Sequence, residues 1–128
     1  MGAMIGNLAL VALGGAVGAV LRYLGVLGAA RWLGAGFPYG TLAVNVAGSF
    51  LIGVVFSALT AREAMHLAPF LTVGVLGGFT TFSAFSLDAL ILWERGAAGL
   101  AAAYVLASVV LSLGAVGLGV IVVRGGLG

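Results

Sequence analysis

The sequence predicts an all-α integral membrane protein with four transmembrane helices, and three observations carry that prediction. Apolar residues make up 63% of the chain and charged residues only 6%, against roughly 25% charged residues in a soluble domain. The mean hydropathy is +1.33, more apolar surface than a soluble fold of this length can hide. Four uncharged runs, 4–21, 32–61, 67–87 and 96–123, each hold the ~20 apolar residues needed to cross the hydrocarbon core.

The first helix is expected from about Ile5 into the region of Leu24, with Arg22 near its end. A signal peptide is the competing reading of this run. Against it, no Lys or Arg precedes Arg22, and the run passes signal-peptide length without a convincing cleavage site. Residues 31–38 turn the chain, and Pro38 sits where a helix begins, with Tyr39 at interfacial depth. The second helix covers roughly Gly40 to Leu59, and Arg62, Glu63, His66 and Pro69 mark the next turn.

The third helix is expected over about Pro69 to Trp93, broken near Gly77–Ser83, with Asp88, Glu94 and Arg95 toward its end. The segment Gly77-Gly78-Phe79-Thr80-Thr81-Phe82-Ser83-Ala84-Phe85-Ser86 combines paired glycines, hydroxyls and phenylalanines at a depth where a membrane helix is normally featureless. Backbone that leaves the helical ladder inside lipid is tolerated only where protein or a water-filled cavity satisfies it. That places function here. The fourth helix runs from about Gly99 to Val123 and ends at Arg124. Residues 1–128 form one four-helix domain with no linker or tail expected.

All five basic residues are arginines, and they are scattered singly, which is unsuited to nucleic acid. With no cysteine there is neither a disulfide framework nor a thiolate metal site. Arg22, Arg31 and Arg95 fall on one side of four spans, and Arg62 and Arg124 on the other. A difference of one barely decides orientation under the positive-inside rule. Two readings stay open: a single, weakly biased orientation, or dual topology, for which an antiparallel homodimer with its two-fold axis in the membrane plane is an economical assembly. Close helix contacts are expected from Gly14 and Gly18, from Ser49 and Gly53, and from Gly114, Gly117 and Gly119.

Two polar stripes follow from helical periodicity. Thr41, Asn45 and Ser49 share one face of the second helix, and Tyr104, Ser108 and Ser112 one face of the fourth. Interhelical glue is the plain reading of the first, and a serine can also bond its own i−4 carbonyl. Within the motif, Gly77-Gly78 can release backbone carbonyls, which suit a hard alkali cation. Phe82 and Phe85 share a face if the segment is helical; they are either plain packing or ring edges whose positive rim can stabilise an anion.

Absences narrow the chemistry. The first two helices hold no carboxylate, so no mid-membrane acid is available there for a proton relay. His66 is a lone loop histidine. No nucleophile, base and orienter constellation and no phosphate-cradling loop is present, so an enzyme is not expected.

Three motifs occur in order: Gly14-Gly15-Ala16-Val17-Gly18-Ala19 leading to Arg22-Tyr23; Gly40-Thr41-Leu42-Ala43-Val44-Asn45 with Gly48-Ser49-Phe50; and Gly77-Gly78-Phe79-Thr80-Thr81-Phe82-Ser83 with Phe85-Ser86. Together they resemble the bacterial Fluc fluoride channels, the CrcB-type family, over nearly the whole chain. The resemblance implies a passive fluoride channel of the bacterial plasma membrane that exports cytoplasmic fluoride. It implies a dual-topology antiparallel homodimer with two pores and a structural sodium ion (Na+) at its centre. By the same resemblance Phe82 and Phe85 would line each pore, Asn45 would hydrogen-bond the ion, and the carbonyls of Gly77 and Thr80 would take sodium. Thr81 and Ser83 belong to the same motif, Tyr104, Ser108 and Ser112 would form a hydroxyl track, and Arg22 would stand near a pore entrance. Ala84 stands where many relatives carry Thr, so no hydroxyl role falls to it.

The alternatives are a small dual-topology multidrug transporter, whose kind needs a glutamate in the first helix, and a structural subunit of a larger complex. This chain has no glutamate before Glu63.

Overall fold

In the computed structural model, which describes residues 1–127, the chain is all helix and turn: α1 (Gly2–Leu33), α2 (Tyr39–Ala61), a 3-10 turn at Met65–Leu67, a π-helical segment at Pro69–Leu76, α3 (Gly77–Phe79), α4 (Phe82–Glu94) and α5 (Ala98–Leu127). Gly128, the last residue of the expected domain, lies outside the described residues. Four stretches are long and apolar enough to cross a membrane: Gly2–Leu33, Tyr39–Ala61, Met65–Glu94 and Ala98–Gly126.

The expected boundaries are corrected at both long helices. α1 does not end near Leu24; it continues through Arg31 to Leu33, where Gly34 at φ +83 stops it. At 1.5 Å per residue it is about 48 Å long, well beyond the ~30 Å hydrocarbon core. Nothing between Leu24 and Leu33 breaks a helix, and Arg22 does not stop one because its charge finds a partner inside the protein. α5 likewise runs on past Val123 through Arg124.

Packing is set by backbone-to-backbone approach. α1 lies against the π-helical segment and α3, and α2 lies along α5. A Cβ at Gly14 would fall 2.9 Å from the Cα of Gly74, one at Gly78 2.6 Å from the Gly15 carbonyl oxygen, and one at Gly18 would overlap the Val75 carbonyl oxygen. Gly53 and Gly119 do the same service between α2 and α5, against Val116 and Phe50. At Gly114 and Gly117, expected to make such contacts, an added Cβ would meet nothing within 4 Å among the described residues.

The interruption of the third span sits later than the glycines suggest. Gly77 keeps helical dihedrals (φ −63, ψ −37) and Gly78 lies within α3, so neither glycine releases the backbone; Gly78 serves close packing against Gly15, and Gly77 does not. Thr80 (φ −89, ψ 161) and Thr81 (φ −153, ψ 123) are the extended residues. Thr81 then starts α4 as its N-cap, its Oγ1 accepting the Ala84 N–H at 3.1 Å. A buried cluster of Leu92, Ala101 and Tyr104, flanked by Phe37, Leu42 and Phe85, ties α4 to α5 at the other end of the span.

Candidate functional site

An extended pair inside an apolar bundle needs partners for its peptide groups. Asn45 on α2 supplies them. Its Nδ2 donates to the Thr81 carbonyl at 2.9 Å, and its Oδ1 accepts the Thr81 N–H at 2.8 Å, so one side chain pairs with Thr81 as a neighbouring strand would. A primary amide carries two N–H groups, and this clamp uses one. The stripe residue is thus first a backbone clamp, with a single donor left over.

The clamp and the N-cap redirect two amides. In an unbroken helix the Thr81 N–H would go to the Gly77 carbonyl and the Ala84 N–H to the Thr80 carbonyl. They go instead to Asn45 Oδ1 and Thr81 Oγ1. The carbonyls of Gly77 and Thr80 therefore lose their i+4 donors, and these are oxygens of the kind a hard cation takes. Neighbouring carbonyls are occupied: that of Leu76 accepts from the N–H and the hydroxyl of Thr80, and that of Gly78 accepts from Arg22 Nε at 3.1 Å. No group of His, Cys, Asp or Glu able to hold a metal ion occurs among the described residues.

Beside the extended pair runs a groove of about 410 Å³. Asn45, Ser49 and Ile52 of α2 line one wall, Phe82 and Phe85 of α4 the second, and Ser108, Ser112 and Leu113 of α5 the third, with Thr80 and Thr81 between them. Phe82 is 79% exposed at its lip. Its ring meets that of Phe85 with centroids 5.5 Å apart and planes at 62°, an edge-to-face arrangement. Ser86 does bond its own i−4 carbonyl, to Phe82 at 2.9 Å. Ser108 does not: its Oγ is buried with no hydrogen-bond partner among the described residues, although the residue lines the groove.

The expected hydroxyl track divides. Ser108 and Ser112 line the groove, whereas Tyr104 lies behind it, 0% exposed. Its hydroxyl donates to Asp88 Oδ2 at 3.2 Å, and its ring packs on Phe85 at 5.3 Å and edge-on to Phe37 at 5.5 Å. Beyond it a second cavity, of about 250 Å³, is lined by Tyr39, Thr41, Asp88, Leu92 and Arg95 among others. Tyr104 lines neither the groove nor this cavity but touches a wall residue of each, Phe85 and Asp88. Asp88, read from sequence as lying near a helix end, is half-buried within α4 and faces this cavity. No local signal announces it, because its partner comes from another helix.

The remaining motif residues are placed as follows. Ser83 is exposed, its hydroxyl 3.4 Å from that of Thr81, outside the groove wall. Gly77 is likewise exposed and outside it. Arg22 is not at a helix end but mid-helix on α1, half-buried against Gly78.

Fold and site define a small multi-pass membrane protein whose helices flank a hydroxyl- and ring-lined groove beside the extended pair of the third span. The chain matches the family described as "CrcB-like protein, Camphor Resistance (CrcB)" over residues 9–120, and it belongs to that family. It is 59% identical over 122 residues to a protein of Cereibacter sphaeroides named fluoride-specific ion channel FluC, covering 95% of this chain and 98% of that one. Proteins of the same name from Agrobacterium fabrum (56% over 112 residues, 86% and 90% covered) and Rhodospirillum centenum (53% over 116 residues, 89% and 92% covered) are similar along nearly their whole length. With four apolar spans and bacterial relatives of this kind, the chain is a multi-pass protein of the bacterial plasma membrane.

Proposed function

We propose that this protein is a passive, fluoride-selective channel through which fluoride leaves the cytoplasm. The groove between α2, α4 and α5 carries the reading, because amide, hydroxyls and aromatic edges converge there at one depth. The names of relatives that cover nearly the whole chain support it. Fluoride is small and strongly hydrated, so a selective path must replace its water with donors while staying narrow. The second N–H of Asn45, the hydroxyls of Ser108 and Ser112 and the edges of Phe82 and Phe85 are donors and positive rims of that kind. None carries a full charge, so the ion is held weakly enough to leave. Thr81 and Ser83 act by shaping the start of α4, and Tyr104 acts from behind the groove by holding the Phe85 ring in place.

We further propose that the working unit is an antiparallel homodimer of dual topology. The groove is open on one side in a single chain, with Phe82 bare at its lip, and a second copy would close it. The near-balanced arginines fit insertion both ways up. The extended pair is read as a functional break in the third span. A two-fold axis beside it would bring two pairs of Gly77 and Thr80 carbonyls together, and their oxygens fit a structural sodium ion, whose chemistry is to neutralise facing carbonyl dipoles. A multidrug transporter is not favoured, because α1 and α2 hold no carboxylate.

The test is fluoride efflux at neutral pH from liposomes that contain only this protein, with a potassium ionophore to carry compensating charge. Flux above that of empty liposomes is expected, and its absence rejects the reading.

A further inference from the structure

Arg22 is a cation in the apolar part of a long helix, with no ion pair to an acid among the described residues. Its side chain is directed at one atom, the Gly78 carbonyl oxygen, across 56 residues of sequence. Gly14, Gly18 and Arg22 follow one another at i, i+4 and i+8, so the face that brings α1 against the third span also delivers this side chain. The Gly78 carbonyl needs a partner because the extended Thr80–Thr81 pair carries its usual donor, the Phe82 N–H, away onto α4.

We propose that Arg22 is a positioning residue that caps the helical segment 69–79 through its Nε–H, and that this hydrogen bond, not the positive charge, is what the channel requires. Occupying the Gly78 oxygen fixes where the helix stops, and so fixes Thr80, Thr81 and the phenylalanines that follow. The atom involved makes the idea separable from an electrostatic role. The donor is Nε, and the Nε2 of a glutamine stands at the same number of bonds from the backbone. A lysine keeps the charge but has a methylene at that position, with its nitrogen one bond further out.

The experiment compares Arg22→Gln, Arg22→Lys and Arg22→Met in the full-length protein, reading amide hydrogen exchange at Thr81 and Phe82 in micelles and fluoride efflux from liposomes. Arg22→Gln is expected to hold exchange within about threefold of the parent and to conduct, whereas Arg22→Met raises exchange roughly tenfold or more and loses flux. Arg22→Lys is expected to resemble Arg22→Met. The reverse order, with Lys retaining protection and flux and Gln losing both, overturns the proposal in favour of a charge that gathers fluoride. Loss of protection in both Gln and Lys overturns it as well. The proposal deepens the channel reading but separates from it: a parent protein that conducts no fluoride, yet shows the Gln-retained exchange pattern, refutes the channel and leaves the cap standing.

Discussion

Asn45 holds the site together at the scale of single residues. It satisfies both peptide groups of Thr81 and still has one N–H for the groove. Asn45→Asp removes the donor to the Thr81 carbonyl and sets a carboxylate oxygen against it. We expect a loss of roughly 1–3 kcal/mol in thermal unfolding of the detergent-solubilised protein and a large fall in fluoride flux. Phe82→Ile separates function from fold. That ring is 79% exposed in the chain and paired with Phe85, so the variant should unfold within about 0.5 kcal/mol of the parent in monomeric detergent conditions, while its flux falls roughly tenfold or more through loss of the ring edge. Equal flux in the variant and the parent would remove Phe82 from the path.

The four spans were legible as apolar runs, and the motif residues around Phe82 as an anomaly within one of them. What sequence hid at this scale is partnership over distance. Arg22 reads from sequence as lying near the end of the first helix, and its pairing to Gly78 is invisible without the fold. Asp88 reads from sequence as lying toward a helix end, and its hydrogen bond from Tyr104 on α5 is equally invisible without the fold.

Elements meet through glycine contacts. Gly18 sits where any side chain would overlap the Val75 carbonyl oxygen, and that carbonyl belongs to a segment already wound as a π-helix, a form found mostly at functional sites. Gly18→Val must push α1 away from the third span, which also withdraws Arg22. The expected cost is about 1–3 kcal/mol of overpacking, read as lower thermal stability together with raised amide exchange at Thr81. Parent-like stability would mean that α1 is not seated as described. Paired glycines suggested the place of the interruption, yet they stay helical, and the chain extends at Thr80 and Thr81 because Asn45 and the Thr81 hydroxyl replace the lost bonds there. Local propensity points to the neighbourhood; a side chain from α2 chooses the residue.

At the scale of the whole molecule, the proposed working unit is two inverted copies around shared carbonyls. Removing sodium in favour of a large organic cation should then lower the thermal stability of the purified assembly and its flux, and returning sodium should restore both. Lithium or the organic cation supporting full stability would argue against a sodium site built from Gly77 and Thr80.

Whether this protein conducts fluoride with no other component is measured by ionophore-triggered efflux from liposomes at neutral pH, followed with a fluoride electrode and repeated with chloride. The account predicts fast fluoride release and chloride release no greater than from protein-free liposomes. No fluoride release, or chloride release at a comparable rate, would contradict it.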